Sequence, residues 1–168
     1  QGWTVAKYLL EFERGGLPYT PRVKAGLLRL KDMIHKEAGG DGRSLAEDRD
    51  FRGRLAKLEI GIQAAEIIEK RVMSALSQGE NPGYASSIFK LRGSELLQEM
   101  LELTMKTLGN YATPYQPEAY VFGNNVEAVA PDYGLTATSK YYNQRAATIY
   151  AGSSEVQRTI LAKHALGL

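Results

Sequence analysis

The sequence predicts an all-α fold, arranged as a four-helix up-and-down bundle with additional short helices. Apolar residues recur at helical spacing almost throughout the 168 residues, and no stretch alternates long enough to compete as a strand. Glycines and prolines separate the periodic segments, as expected of residues that end helices. Two of these segments are long enough to run about 40 to 50 Å, which suits the spine of a bundle.

The first two helices are delimited by glycine pairs. The first is predicted from about Trp3 to Glu13, before Gly15-Gly16, and the second begins at Thr20 with Pro21 in its first position and ends before Gly39. The apolar residues on one side of the first helix are Val5, Tyr8, Leu9 and Phe12. Those that the second helix turns inward are Val23, Leu27, Leu30 and Ile34.

The third helix is the longest periodic segment. Ser44 and Glu47 form a predicted capping box at its start, and it runs to about Ser77. Its apolar residues recur in steps of four and three, a rhythm that suits antiparallel packing. These residues are Phe51, Leu55, Leu58, Ile62, Ala65, Val72 and Leu76. Glu69 interrupts this rhythm, and we interpret it as an ordinary carboxylate at the rim of the bundle.

The partner helix is predicted from about Tyr84 to Leu108. The segment from Tyr111 to Gly134 has three prolines and no periodicity, so it is predicted to be a long ordered loop that serves a site or an interface. Two shorter helices follow, at about Thr138 to Thr148 and Ser153 to Ala165. The whole chain, residues 1–168, is expected to form a single helical bundle domain.

Composition excludes several classes of function. The net charge is +2, which makes no electrostatic case for nucleic acid or a membrane surface, and the absence of cysteine excludes disulfides and thiolate zinc sites. One helical turn from His35 lies Asp32, and one turn from His164 lie Ile160 and Leu161, which do not make a metal set, so no metal is predicted. No apolar run approaches the roughly 18 residues of a membrane span. We expect a cytoplasmic protein.

The most informative stretch follows Ile149, where a turn at Tyr150-Ala-Gly152 opens directly into the last helix. Ser154 is predicted to cap this helix while Gln157 reaches back to it, and Gly152 leaves room for a ligand. The free amides and the positive end of the helix dipole suit a phosphate or a carbonyl oxygen. Tyr150 is predicted to lie either in packed interior or against a ligand, and Tyr141-Tyr142 in the interior or at an interface.

This stretch resembles the closing motif of the acyl-CoA dehydrogenases, an aromatic-acid-glycine-hydroxyl turn followed by a helix that begins Ser-Glu/Gln-Ile-Gln-Arg. The matching residues are Tyr150, Gly152, Ser153, Ser154, Glu155, Val156, Gln157 and Arg158. Tyr84 to Lys90 is similar to the family's Ala-Ser-x-x-Lys helix start, and Met105 to Asn110 to its Gln-Ile-Leu-Gly-Gly end. Ala6 to Gly16 is a looser match to the helix that ends Arg-x-x-Phe-Gly. The resemblance covers only the family's C-terminal helical domain.

The resemblance implies that FAD is the cofactor. It assigns Ser153, Ser154 and Glu155 to FAD binding, and places Tyr150 and Gly152 beside the acyl-CoA substrate. The residues expected to bind the ADP half of a flavin in the neighbouring subunit are Lys106, Thr107, Leu108, Gly109 and Asn110. Arg14 is the candidate for the pyrophosphate arginine, although a strict alignment puts Phe12 there; a solvent-facing cation near a helix end is the alternative interpretation.

The resemblance also implies a missing catalytic base. In the commonest family pattern the base is a glutamate just before the motif glycine, and this sequence has Ala151 there. Either the base lies on an earlier helix, several residues before Gln1, or the chain belongs to a catalytically silent subunit of a heteromeric dehydrogenase. Glu155 lies about one turn inside the last helix and is not assigned as the base.

The leading hypothesis is therefore the C-terminal domain of an FAD-dependent acyl-CoA dehydrogenase that performs α,β-dehydrogenation in fatty acid metabolism. Gln1 to Ala6 already has the pattern of the inside of an amphipathic helix, so we expect a fragment that is inactive when isolated. The expected partners are acyl-CoA, a second copy in a homodimer or homotetramer, or a different subunit in a heteromer, and an electron-transfer flavoprotein. A helical assembly module without flavin is the most distant alternative.

Overall fold

The fold is all-α, as predicted. The computed structural model describes residues 1–15 and 19–168, with the side chains of residues 1–10 and 19–168. The helices are α1 (Gly2–Gly15), α2 (Tyr19–Lys36), α3 (Arg49–Ser77), α4 (Ala85–Leu108), α5 (Ala137–Gln144) and α6 (Ser154–Ala165). Short 3₁₀ helices lie at Gly109–Ala112, Pro117–Tyr120 and Arg145–Thr148. Within the described residues, the β-type pairing is an isolated bridge between Ala38 and Ser44.

The chain divides into two compact units. Unit 1 comprises Gln1–Lys24, Ile60–Leu96 and Ala147–Leu168, and unit 2 comprises Ala25–Glu59 and Leu97–Ala146. Each of α2, α3 and α4 contributes one segment to each unit. No helix of the described residues is long and apolar enough to cross a membrane.

Each unit buries the apolar faces that periodicity predicted. In unit 1 the buried apolar residues include Val23, Ile62, Ala65, Val72, Phe89 and Leu96, and in unit 2 they include Leu27, Leu30, Ile34, Leu58, Met100 and Leu103. All four residues that α2 was predicted to turn inward are buried. The rhythm of α3 is confirmed at its centre, whereas Phe51, Leu55 and Leu76 near its ends are only partly buried.

The apolar side chains near the start of α1 are exposed. Trp3, Val5, Tyr8 and Leu9 have relative exposures of 72%, 67%, 60% and 62%. The side chain of Phe12, which the sequence placed on the same side, lies outside the described side chains.

The interpretation of Glu69 as a rim carboxylate is wrong. Glu69 is only 7% exposed, and its Oε2 accepts a hydrogen bond of 3.1 Å from the backbone N–H of Thr20. The Thr20 hydroxyl donates to the same oxygen. Thr20 lies in the first turn of α2, where backbone N–H groups have no partner inside the helix. Glu69 on α3 therefore caps α2 from another helix, which explains why a charged group is buried in unit 1.

The predicted capping box at Ser44 is also wrong. The Ser44 Oγ accepts from the N–H of Ala46 at 3.2 Å, within a turn that precedes the helix. Asp48 caps α3 instead, because its Oδ1 accepts from the N–H of Phe51 at 2.9 Å. Asp48, the residue just before α3, is thus the N-cap and lies four residues after Ser44.

The segment from Tyr111 to Gly134 is a loop, as predicted, and consists of turns, the end of one 3₁₀ helix and the whole of another. Within unit 2 it is fastened by Tyr133, whose hydroxyl donates at 2.7 Å to Oε1 of Glu37, the residue that follows α2. The ammonium of Lys36 lies 5.0 Å from the centre of the Tyr133 ring. The hydrogen bond to Glu37 is the main reason that the pKa of Tyr133 is raised from 10.0 to about 12.

Replacing Tyr133 with phenylalanine should make the protein less sensitive to alkali. The folded-state pKa of Tyr133 is raised above the unfolded value, so its contribution is complete below about pH 10 and is lost as the pH rises through about 12. The wild type should therefore lose its stability advantage over Tyr133→Phe across this interval. The measurement is the melting temperature of both proteins from pH 9 to 12. Glu37→Gln should reduce the same pH dependence because it removes the charged acceptor, and a constant gap between wild type and Tyr133→Phe would contradict the assignment.

Candidate functional site

The turn before α6 has an unusual backbone. Ala151 and Gly152 have φ angles of 53° and 86°, so two consecutive residues adopt the left-handed region. Glycine reaches this region without strain, whereas alanine does so at a cost of about 1–2 kcal/mol. Tyr150 in this turn is 49% exposed, Ala151 is exposed and Gly152 is partly exposed. The turn is therefore a strained, accessible feature of unit 1.

Ser153, rather than Ser154, caps α6. The Ser153 Oγ accepts from the N–H of Val156 at 3.4 Å, and its backbone has extended angles that precede the helix. Ser154 is the first residue of α6 and is only 4% exposed. The predicted capping box is thus wrong, and the cap lies one residue earlier than predicted. Gln157 reaches back as predicted, but its Nε2 donates to the carbonyl of Gly152 at 3.2 Å instead of closing the box.

Glu155 occupies the first turn of α6 with an exposed side chain. Its pKa is lowered, chiefly by a hydrogen bond from its own backbone N–H and then by one from the Ser153 side chain, with the charges of Arg158 and Lys90 contributing. A carboxylate at a helix N-terminus is stabilised by the free N–H groups and by the helix dipole. This end of α6 therefore favours negative charge, and the carboxylate of Glu155 is stabilised there.

Lys90 supports the turn from inside unit 1. It is only 1% exposed, and its Nζ donates to the carbonyl of Gly152 at 2.7 Å. Lys90 ends the motif from Tyr84 to Lys90, in which the sequence pattern indicated no role for the lysine. The signal that could have identified it is a lysine on an otherwise inward face of α4, because a buried ammonium requires a partner.

The predicted residues of the turn differ in accessibility. Ser153 is partly exposed and Glu155 fully so, and both can meet a ligand through side chain or backbone. Ser154 packs inward, and its buried Oγ has no hydrogen-bond partner. Any contact of Ser154 with an external ligand would therefore be made by its backbone.

An aromatic group lies beside the turn in unit 1. Tyr19 and Phe89 make an edge-to-face contact, with ring centres 5.5 Å apart. The pKa of Tyr19 is raised, first by burial and then by the proximity of Tyr150. Tyr150 is thus near enough to influence Tyr19 while it exposes about half of its surface. Tyr142, for which an interior or interface position was predicted, is 65% exposed.

The second predicted stretch is the end of α4 in unit 2. Lys106, Gly109 and Asn110 are exposed, whereas Thr107 and Leu108 are 4% and 2% exposed. The Thr107 hydroxyl donates to the carbonyl of Leu103 at 2.9 Å. A ligand at this stretch would therefore meet the side chains of Lys106 and Asn110, and the backbone at Gly109, where a φ of 54° favours glycine.

Lys106 also lines a cavity of about 300 Å³ in unit 2. Arg54 and Lys57 from α3 line the same cavity, together with Glu99 and Glu102. The Lys106 Nζ lies 2.7 Å from Glu102 Oε1, an ion pair that lowers the pKa of Glu102. Three cations thus face two carboxylates, an arrangement able to accept an anionic group.

Two further sequence predictions concern the pyrophosphate arginine and the absence of a metal site. The Arg14 side chain lies outside the described side chains. Within the part of the chain that the structure describes, no three His, Asp or Glu side chains come together in a way that could hold a metal ion.

Comparison with known proteins identifies relatives over the whole chain. The family described as "Acyl-CoA dehydrogenase, C-terminal domain" matches residues 1–166. Acyl-CoA dehydrogenase IpdE1 of Mycobacterium tuberculosis is 28% identical over 170 residues, a match that covers 99% of this chain and 38% of IpdE1.

Solved structures agree in fold. A chain of the ChsE4-ChsE5 complex from Mycobacterium tuberculosis matches with a TM-score of 0.76 and 26% identity, over 99% of this chain and 41% of that chain. An acyl-CoA dehydrogenase from Geobacillus kaustophilus matches with a TM-score of 0.75 and 18% identity, over 99% of this chain and 39% of that chain. The 168 residues therefore span well under half the length of these relatives.

Proposed function

The chain belongs to the acyl-CoA dehydrogenase family through its C-terminal domain, and from this we propose that it helps to bind FAD and acyl-CoA in a full-length dehydrogenase. Residues 1–168 would act as one helical bundle domain of that cytoplasmic flavoprotein. The observation that carries the proposal is the left-handed turn that opens into the N-terminus of α6, partly exposed and beside a half-exposed tyrosine.

The turn has donors that suit the flavin end of FAD. Ser153 supplies a backbone N–H and a hydroxyl at the positive end of the α6 dipole, where oxygen and nitrogen acceptors are favoured. Glu155 would contact the cofactor from the next position, with Ser154 contributing its backbone. Gly152 and Tyr150 would border the acyl thioester, because glycine allows close approach and Tyr150 offers an exposed apolar ring.

The end of α4 has the chemistry for the ADP half of FAD. Lys106 supplies positive charge beside a cavity that Arg54 and Lys57 also line, and Gly109 and Asn110 present an accessible backbone and amide. The side chains of Thr107 and Leu108 would support this surface from within. Following the family resemblance, this FAD belongs to a neighbouring subunit, so the active assembly is a dimer or tetramer. Arg14 remains the proposed pyrophosphate contact.

The reaction proposed is removal of a proton from the carbon next to the thioester carbonyl and of a hydride from the following carbon, which forms a 2-enoyl-CoA. When bound, FAD supplies the hydride acceptor, and an electron-transfer flavoprotein would reoxidise it. The proton requires a carboxylate base, and Ala151 has only a methyl group. We propose that the base comes from an earlier helix of the full-length polypeptide.

A second candidate is a subunit of a heteromeric dehydrogenase in which another chain supplies the base. The alanine at the usual base position favours it, as does the 26% identity to a chain of the ChsE4-ChsE5 complex. Both candidates need FAD at the turn and differ only in the origin of the carboxylate. A helical assembly role without flavin is the third candidate.

Anaerobic addition of acyl-CoA should bleach the visible absorption band of the flavin in the full-length protein. Thioesters of several chain lengths are added to the purified protein, and the loss of absorption measures hydride transfer to the cofactor. Full bleaching by at least one thioester is expected for an enzyme with its own base, because proton and hydride removal then occur within one assembly.

The outcomes separate the three candidates. A yellow protein whose flavin bleaches only after a separately purified second subunit is added supports the heteromer. A full-length protein purified without flavin, and unable to bind added FAD, contradicts the proposal and favours the assembly role. Acyl-CoA lacking a hydrogen on the carbon next to the thioester should leave the flavin unchanged in every case.

A further inference from the structure

We infer that Lys90 is a positioning residue that orients the Ser153 N–H toward a bound ligand by holding the Gly152 carbonyl from inside unit 1. Lys90 lies on α4, away from the turn along the chain, and does not face outward itself. The inference rests on the proposed function, because the ligand it concerns is the FAD proposed to lie against the start of α6.

Two buried donors converge on one carbonyl oxygen. The Nζ of Lys90 donates to the Gly152 oxygen at 2.7 Å, and the Nε2 of Gln157 donates to the same oxygen at 3.2 Å. Lys90 and Gln157 are 1% and 0% exposed. Hydrogen bonds from a charged donor are stronger than those between neutral groups, particularly away from water. The Gly152 carbonyl is therefore held firmly and points into unit 1.

The direction of this carbonyl determines the direction of the next amide. A peptide unit is planar, and in the trans form its C=O and N–H point in opposite directions. No cis peptide bond occurs among the described residues. Because the Gly152 oxygen points toward Lys90, the N–H of Ser153 points away from the interior. Ser153 is partly exposed, and its N–H makes no hydrogen bond to other described residues.

The turn would not hold this orientation by itself. Ala151 has a φ of 53° and Gly152 a φ of 86°, and an alanine rarely adopts such angles unless its surroundings impose them. The hydrogen bonds to the Gly152 oxygen are the contacts that impose them from inside. Loss of Lys90 would leave Gln157 as the remaining donor and allow the peptide to rotate.

Three buried polar atoms on α4 and α6 have no hydrogen-bond partner among the described residues. Ser87 precedes Lys90 by about one turn of α4, and Ser154 precedes Gln157 by about one turn of α6. The Oγ atoms of both serines and the Oε1 of Gln157 are buried without a hydrogen-bond partner. Apolar side chains at these positions would avoid that penalty. The hydrogen bonds to the Gly152 carbonyl come instead from Lys90 Nζ and Gln157 Nε2.

The test compares Lys90→Met with Gln98→Met in the full-length protein. Methionine matches the lysine stem but cannot donate a hydrogen bond. Gln98 is a matched control on the same helix, because its Nε2 also fastens α4 to backbone carbonyls, those of Gln144 and Arg145 at 2.8 and 3.3 Å. These carbonyls belong to unit 2, whereas the turn belongs to unit 1.

The readouts are the dissociation constant of FAD, the visible circular dichroism of the bound flavin and the melting temperature. Lys90→Met should weaken FAD binding at least about tenfold and change the flavin dichroism, because the Ser153 N–H no longer faces its acceptor. Gln98→Met should lower the melting temperature while leaving the affinity and the dichroism as in the wild type. A merely structural role of Lys90 would alter only the melting temperature.

Each outcome of this comparison either supports or overturns the role of Lys90. Wild-type affinity and dichroism in Lys90→Met would overturn the inference and leave the proposed function intact, as would equal losses of affinity in both variants. A wild-type protein that binds no FAD would overturn the proposed function and this inference with it. If Lys90→Met does not fold, Gln157→Met removes the second donor with little change of shape, and the same criteria apply to it.

Discussion

Replacing Glu69 with alanine is expected to lower the free energy of unfolding by about 2–4 kcal/mol. The Glu69 carboxylate accepts hydrogen bonds from the N–H and the hydroxyl of Thr20, which is itself only 5% exposed. Without the carboxylate, two buried donors at the start of α2 have no partner, and water cannot reach them easily. Glu69→Gln keeps an acceptor and should lose less stability.

Glu66→Ala is the matched control. Glu66 lies one turn earlier on α3 and pairs with Lys24 of α2 and with Lys70, whose side chains are 43% and 72% exposed. Exposed ion pairs contribute little because water and salt screen them. The measurement is the midpoint of urea unfolding of the full-length protein and of each variant. If Glu66→Ala and Glu69→Ala shift the midpoint equally, the capping role of Glu69 is refuted.

Gly93→Ala should be destabilising although alanine favours a helix more than glycine does. A Cβ at Gly93 would lie 2.7 Å from Cγ and 3.0 Å from Cβ of Tyr19. The Cβ of Tyr19 is close to the backbone and cannot swing away like the end of a long side chain. Overpacking of this kind costs about 1–3 kcal/mol, which exceeds the gain of about 1 kcal/mol in helix propensity.

Gly53→Ala separates the two effects. Gly53 lies inside α3, is exposed, and has no atom within 4 Å of a built Cβ. Its replacement should raise stability by up to about 1 kcal/mol through helix propensity alone. The difference in unfolding free energy between the two variants then isolates the contact with Tyr19, since the propensity gain is common to both. Equal stabilisation by both substitutions would disprove the close approach of α4 to Tyr19.

Much of the fold could be predicted because a helix with one buried face requires apolar residues at regular spacing along the chain. Val23, Leu27, Leu30 and Ile34 recur at helical spacing and are all buried, and α2 has the predicted length. The ends of α3 and α4, at Ser77 and Leu108, also lie where glycine and proline follow in the sequence. Burial of one face and termination by backbone chemistry both depend on neighbours along the chain.

The candidate site could be predicted only in part. The sequence located the turn at Tyr150 to Gly152 and the start of α6 within one residue, because glycine and serine have distinct backbone roles. It chose Ser154 instead of Ser153 as the cap, because only Ser154 is followed three residues later by a glutamine, as the capping-box pattern requires. Burial of one serine and not the other depends on what packs against α6.

The sequence by itself therefore determined which segments are helical, which faces are apolar and where a glycine-bearing turn precedes α6. Only the tertiary structure decided the partners of the buried polar groups. Glu69 meets Thr20 across 49 positions, and Lys90 meets Gly152 across 62. Such pairs produce no periodic pattern in the sequence. The partner of a buried charge is whichever group the fold brings within hydrogen-bond distance.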